Sequence, residues 1–442
     1  MMIDPSPFQA RRQRLLQEMQ ARGGGVALIP TAPEALRNRD THYPYRFDSY
    51  FYYLTGFREP EAALVLVAGD TPRSILFCRD KDVEREIWDG YRFGPDAARE
   101  AFAMDAAHVI DDLARMLPDL LADQPALFYA LGHDAAWDKR ITEGLNAARA
   151  NTRSGVTAPA SVADVRALVD EMRLVKDASE IALMRRAAAI SAEAHRLAMR
   201  ESRPGMFEYE IEAVIGQCFR RAGAQAPAYP SIVASGPNAC VLHYIENDRK
   251  MADGDLLLID AGCELDGYAS DITRSFPVNG RFSGPQRDIY ALVLAAQAAA
   301  IDATRPGATW NAPHDAAVQV LAQGLIDLDL LEGSLDGVLE NQDYRRFYMH
   351  RTGHWLGLDV HDAGEYKLGG DWRPLVPGMT LTIEPGCYIR PADDIPEAFW
   401  HIGVRIEDDA LVTADGCELI TADAPKTVDE IETLMEQMRD TP

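Results

Sequence analysis

The sequence predicts an α+β protein built in two parts, and three features of the chain predict it. At 442 residues it exceeds what one hydrophobic core organises, so two domains are expected. A strongly helical stretch over 165–200 separates a first part of mixed short strands and helices from the rest of the chain. From about residue 255 onward, β-branched runs flanked by turn residues dominate, which reads as an antiparallel sheet. An apolar fraction of 47% with 26% charged residues is the balance of a folded globular chain.

Taken in order, the N-terminus MMIDPSPFQARRQRLLQEMQ carries charge where a secretory leader needs an apolar run. THYPYRFDSYFYYLTGF (41–57) is dense in aromatics, which favours packing in a core or subunit contact over ligand stacking. AALVLVAG (62–69) and RSILFC (73–78) read as adjacent strands separated by a GDTP turn. In the helical stretch, Asp177 with Glu180 has the spacing of an N-terminal capping pair, and the domain boundary is expected near Arg173. A second helix follows Pro204-Gly205, with Ile211, Ile215 and Phe219 on its inner face. DLLLIDAG, GYASDITRSF, TLTIEPGCYI and HIGVRIEDDALVT supply the strands of the second part. Between them, IYALVLAAQAAAI is interrupted by Gln297 and is too short to span a bilayer. A final helix begins at Thr427 with Glu430 three residues on, and buries Ile431, Leu434, Met435 and Met438.

The net charge is −25, from 44 basic and 69 acidic side chains. Such a surface repels phosphate backbones, so neither nucleic acid nor an anionic membrane is an expected partner. Six cysteines are scattered with no CxxC pair, a pattern of reduced thiols that points to the cytoplasm.

Carboxylates placed among apolar strand residues need a physical reason. Asp260 ends the run LLLI and Asp271 lies within GYASDITRSF. A turn centred on Leu265-Asp266 sets these two directly opposite, with Cβ atoms roughly 5 Å apart. Two carboxylates that close repel, so either one keeps a proton or a cation sits between them. Glu384 ends TLTIE just before Pro385-Gly386, and Glu407 ends GVRIE. With His354, from HRTGHWLGLDVHD, they make four carboxylates and an imidazole. Singly, a strand-end Asp is usually a turn or cap residue and a lone His a structural one. Five such residues at the edges of apolar runs point instead to two divalent ions, hard or borderline, rather than to one zinc.

These segments resemble a known family. IDAGCELDGYASDITRSFPVNG, HWLGLDVHD, TIEPGCYI and GVRIEDD resemble the signature segments of the pita-bread metallopeptidases, most closely the bacterial X-Pro aminopeptidases (aminopeptidase P). YPYRFDSYFYYLTGFREPEA is similar to their accessory domain. The resemblance implies an α/β accessory domain over 1–173. Over 174–442 it implies a pita-bread catalytic domain, a curved antiparallel sheet flanked by helices. It implies that Asp271 and Glu407 bridge two metal ions, that Asp260 binds one, and that His354 and Glu384 complete the other. Manganese is the metal it implies, although the same ligands accept cobalt, iron or zinc. The implied reaction removes an N-terminal residue that precedes proline, through a hydroxide shared by the two metals. The bond cut is a tertiary amide whose shape the proline ring fixes. Glu384 would shuttle the proton, His243 and His361 would donate hydrogen bonds to the tetrahedral intermediate, and His350 and Arg405 would line the site. A homo-oligomer, dimer or tetramer, is also implied. One departure stands out: Arg351 adds bulk and charge where the family often has glycine, which bears on the peptide length accepted.

The nearest rival is prolidase, which shares the metal set and cleaves only X-Pro dipeptides. Methionine aminopeptidase needs no such long N-terminal domain, and the creatinase-like hydrolases and non-catalytic relatives lack the ligands present here. No GxSxG, Walker-type or HExxH segment offers another chemistry. His42, His108, His133, His195 and His314 match no motif and read as surface or packing residues.

Overall fold

The computed structural model describes residues 4–437, so the expected contribution of Met438 lies outside the described residues. The chain forms two compact units, one ending at Arg173 and one beginning at Leu174.

The first unit is a six-stranded mixed sheet of β1 (Gly25–Pro30), β2 (Ala63–Ala68), β3 (Arg73–Cys78), β4 (Ala106–Val109), β5 (Ala126–Phe128) and β6 (Ser161–Ala163), in the order β4-β3-β2-β1-β5-β6. Its centre is antiparallel, including the expected β2–β3 pair, and its flanks are parallel. The aromatic segment packs over Phe47, Phe51, Tyr52, Tyr53 and Phe57, whereas Tyr43 at its start is exposed. Asp48 caps the helix Ser49–Thr55 by accepting from Phe51 N, and Gly56 closes it with a left-handed turn. Phe51, Tyr52 and Tyr53 are buried, and Phe57 meets Phe51 and Phe102 edge to face.

In the second unit the Asp177–Glu180 capping box forms and starts the helix Ala178–Glu201. Ile211, Ile215 and Phe219 line the inner face of the helix Glu208–Arg221. The helices Gly284–Ala303 and Ala312–Asp327 contribute Ile289, Val293, Leu321 and Leu325 to the same core, against the strand residues Ile259, Ile383 and Val404. Among the described residues no helix is long and apolar enough to cross a membrane.

The strands are β7 (Ala226–Pro227), β8 (Ile232–Ser235), β9 (Leu256–Asp260), β10 (Cys263–Leu265), β11 (Tyr268–Ala269), β12 (Thr273–Pro277), β13 (Lys367–Leu368), β14 (Asp371–Trp372), β15 (Thr380–Ile383), β16 (Gly386–Ile389), β17 (Ile402–Arg405), β18 (Asp408–Val412) and β19 (Cys417–Leu419). Every pairing among them is antiparallel.

One expected register is corrected. The β10–β11 turn centres on Asp266-Gly267, with φ of 52° and 86°, and not on Leu265-Asp266. An Asp-Gly pair with both φ positive matches the strand twist of a two-residue hairpin. Asp260 therefore faces Thr273, and Asp271 stands diagonally from it, opposite Gly262. The correction shifts the pairing by two residues, so both carboxylates remain on one face. Gly262 is required there: a Cβ would lie 1.7 Å from the Ser270 carbonyl oxygen.

A second register places the glutamates. β15 pairs with β18 and β16 with β17, and both ladders break at the same level. Ile383 faces Asp408 on one side of the break and Gly386 faces Arg405 on the other. The shared register leaves Glu384 opposite Glu407 in the gap.

Candidate metal centre

Strand ends bring the acids together. Tyr229, which follows β7, donates its hydroxyl proton between Asp260 Oδ1, at 2.7 Å, and Asp271 Oδ1, which is closer still. Single ligand atoms of Asp271, His354 and Glu407 lie within 4.8 Å of one another. His354 Nε2 is 3.6 Å from both Asp271 Oδ2 and Glu384 Oε1. The five predicted ligands thus line one cavity of about 940 Å³, together with His243, His350, His361 and Arg405.

The ring of His354 is set for ligation. Its Nδ1–H donates to the Trp355 carbonyl at 2.9 Å, which leaves Nε2 to face the acids. Its loop is keyed to β15: Thr382 N donates to His354 O, His354 N to Thr382 Oγ1, and Glu384 N to Thr352 O. Gly353 permits this approach, since a Cβ would sit 2.1 Å from the Thr382 carbonyl oxygen. The Thr382 hydroxyl also donates to Glu384 Oε1 at 3.2 Å.

The electrostatics test whether cations fit. Burial, then the charge of Asp260, raises the Asp271 carboxyl. Burial, then Asp271 and Glu384, drives Glu407 well above its ordinary value. Burial also lifts Glu384 to about 7, although His354 and Arg405 oppose it. Burial alone would lower His354, but its hydrogen bond to Asp271 and the charges of Glu384 and Asp271 bring it to about 9. Protons on these groups stand where positive charge is wanted, and divalent ions fit the same need with the same atoms.

Around the acids, Arg405 Nη2 reaches Asp260 Oδ2 at 2.6 Å and its Nη1 donates to Tyr388 OH at 2.9 Å. The Tyr388 hydroxyl then donates to His350 Nε2 at 2.9 Å, while His350 Nδ1–H donates to Arg351 O. Burial and the charge of Arg405 hold His350 neutral, pushed down to about 3. His361 stands edge-on to His354, ring centres 4.3 Å apart. Behind Glu407, Thr273 Oγ1 donates to its Oε2 at 2.6 Å. Next to it, Asp408 pairs with Arg274 and Lys426, which overcome its burial and bring it to about 2.

Tyr229, Thr273, Thr382 and Tyr388 carry no signal in the sequence, because a hydroxyl at a strand end or in a loop leaves no periodic trace. His314 is half-buried and packs against the loop that precedes His354. It bonds Thr352 Oγ1 through Nδ1 at 2.8 Å, and Tyr348 OH reaches the same oxygen at 2.6 Å. His195 is a packing residue as expected, fully buried with Nε2 on the Ala261 carbonyl.

Comparison with known proteins gives consistent findings. Residues 182–414 match the model of metallopeptidase family M24, and residues 8–129 match that of the aminopeptidase P N-terminal domain. The chain is 47% identical to the Xaa-Pro aminopeptidase of Escherichia coli over 435 residues, 98% of each chain. It is 46% identical to that of Haemophilus influenzae over 430 residues, 97% of this chain and 96% of the other. Among solved structures, an aminopeptidase of Pseudomonas aeruginosa superposes with a TM-score of 0.97 at 49% identity, covering 99% of this chain and 100% of the other. A zinc-substituted E. coli aminopeptidase P in complex with product superposes with a TM-score of 0.96 at 45% identity, covering both chains in full.

Proposed function

The chain belongs to metallopeptidase family M24, and on that premise we propose that it is a metal-dependent X-Pro aminopeptidase. It hydrolyses the bond between an N-terminal residue and a following proline. The observation that carries the reading is the convergence of Asp260, Asp271, His354, Glu384 and Glu407 on one cavity, with the His354 tautomer fixed from behind.

We assign Asp260, Asp271, His354, Glu384 and Glu407 as the residues that would hold two divalent ions, with Asp271 and Glu407 common to both, Asp260 serving one and His354 with Glu384 the other. Ions bound there would neutralise the buried carboxylates and would supply Lewis acidity to water and to the scissile carbonyl. Glu384 Oε2, the oxygen not engaged by Thr382, is assigned to hold a proton and deliver it to the leaving proline nitrogen. His243 and His361 donate hydrogen bonds to the oxygen that gains negative charge. Arg405 and Tyr388 hold Asp260 and His350 in place, and His350 lines the wall on which the substrate lies.

Manganese is the metal we assign, with cobalt, iron and zinc chemically acceptable to the same set. Residues 1–173 act as the accessory domain and 174–442 as the catalytic one. A homo-oligomer, dimer or tetramer, is supported by the exposed side chains of Ile87, Trp88 and Tyr91, 79%, 83% and 92% accessible, which a subunit contact would cover. Six unpaired cysteines support a cytoplasmic setting.

The test uses metal-stripped protein on an X-Pro-X tripeptide with manganese, cobalt, zinc and iron restored in turn. Release of the first residue should require metal, and manganese should restore it best. Cleavage of an X-Pro dipeptide alone would overturn the reading in favour of a prolidase.

A further inference from the structure

We propose that Arg351 and Lys367 form a recognition site for a carboxylate on the substrate, downstream of the bond that is cut. The proposal rests on the peptidase reading above and adds a substrate class to it: short X-Pro peptides with a free C-terminus, or longer ones with an acidic side chain after the proline.

The charged groups of the cavity are arranged in an ordered way. Its acids are the buried or half-buried Asp260, Asp271, Glu384 and Glu407, which form the floor. Three lysine or arginine side chains line the wall, and of these the buried Arg405 is taken up by Asp260. The other two, Arg351 and Lys367, are exposed at the mouth. Among the described residues the partners of these two cations are Asn311 and the Trp372 ring, and neither is in an ion pair with a carboxylate, in a chain that carries 69 acidic side chains. The charge of Arg351 is felt by its neighbours: after burial, it is the next cause holding His314 down to about 4.

Both cations are held in place. The Arg351 guanidinium lies 5.1 Å from the centre of the Trp372 ring and donates through Nη2 to Asn311 Oδ1. Lys367 Nζ lies 4.5 Å from the centre of the same ring. Lys367 and Trp372 face each other across the β13–β14 hairpin. An aromatic platform that holds two cations, neither in an ion pair among the described residues, presents both to an incoming anion.

Direction follows from burial. An aminopeptidase substrate places its amino end and first residue at the buried acids, so the chain beyond the proline leaves by the exposed mouth. A peptide with a free amino group and a free carboxylate is then matched in charge at both ends.

The experiment compares Ala-Pro-Leu, Ala-Pro-Leu-amide and Ala-Pro-Glu-amide on the manganese-loaded enzyme. Both carboxylate peptides should exceed the plain amide in kcat/KM by about fivefold to tenfold, the size one or two exposed ion pairs supply, with the difference in KM. The preference should shrink at high salt. In R351M/K367M it should fall to within about twofold of unity, whereas R351K should retain most of it. Because K367M alters only the exposed hairpin, its partial loss separates recognition from a disturbed His350–His354 loop. Equal kcat/KM for acid and amide peptides in the wild type, or a preference that survives the double substitution, would overturn the proposal. Cleavage of no peptide at all would defeat the peptidase reading instead. Calorimetric binding of Pro-Leu and Pro-Leu-amide then decides the carboxylate site without turnover: equal affinities overturn it, and tighter binding of the acid that vanishes in the double variant upholds it.

Discussion

Glu407 illustrates how a buried side chain is tuned for a partner. Without metal its ionised form is disfavoured by burial and by Asp271 and Glu384, so a neutral replacement loses little in the metal-free fold. E407Q should therefore leave the thermal midpoint of the stripped protein unchanged or higher. Metal content and peptide cleavage should drop by more than the roughly 10–100-fold that outer-shell groups carry. Thr382, one such outer group, holds both Glu384 Oε1 and His354 N, and T382V should fall within that 10–100-fold range in metal affinity. His195 sets a pH limit at the same scale. Burial holds its imidazole at about 4, against an ordinary 6.5, with the hydrogen bond to the Ala261 carbonyl opposing. The unfolded chain takes up its proton first on acidification, so this contribution is complete above pH 6.5 and is lost as the pH falls from there towards about 4. Between pH 7 and pH 5 it removes about 2 kcal/mol, readable as a shift in urea midpoint that H195Q abolishes. The acids are legible in the sequence because each breaks an apolar run. Tyr229 and Thr382 are not, since their importance lies in where a hydroxyl points and not in what surrounds it along the chain.

At the scale of elements, two glycines decide whether strands and loops can approach. A side chain at Gly262 would meet the Ser270 carbonyl at 1.7 Å, and one at Gly353 would meet the Thr382 carbonyl at 2.1 Å. Backbone cannot yield as a flexible side chain does, so G262A and G353A should each cost about 1–3 kcal/mol. In G353A the loop bearing His354 should also part from β15, with cleavage falling further than stability does. A circular-dichroism melt and a metal titration of each variant check this. The helix Ala178–Glu201 and its Asp177–Glu180 cap are visible in the sequence because capping chemistry is local. The β10–β11 register differs from expectation by one turn position. Leu265-Asp266 and Asp266-Gly267 compete for the turn, and only the latter pair takes two positive φ angles readily. The opposition of Glu384 and Glu407 cannot be read from spacing, since it depends on two ladders sharing one register across a break.

For the whole molecule, the five ligands come from segments as far apart as Asp260 and Glu407, so bound ions tie the second unit together. Manganese at about 100 times its dissociation constant should stabilise the folded protein by about 2.7 kcal/mol. A chelator should lower the thermal midpoint and readdition should restore it; a midpoint indifferent to both would sink the metal assignment. The division into two parts and the antiparallel character of the second are legible in the sequence because patterning is repeated over many residues. Which walls of the cavity meet a substrate is not, because Arg351, Lys367 and Trp372 come together only through the fold.

The paired break in the β15–β18 and β16–β17 ladders constrains how this chain can change length over evolution. Inserting or deleting one residue between Thr380 and Ile389, or between Ile402 and Val412, turns every later side chain of that strand to the opposite face. Glu384 or Glu407 would then point away from its counterpart. The connection from 390 to 401 lies outside both ladders and is free of that restriction, so relatives should differ in length there while these two segments keep a fixed count.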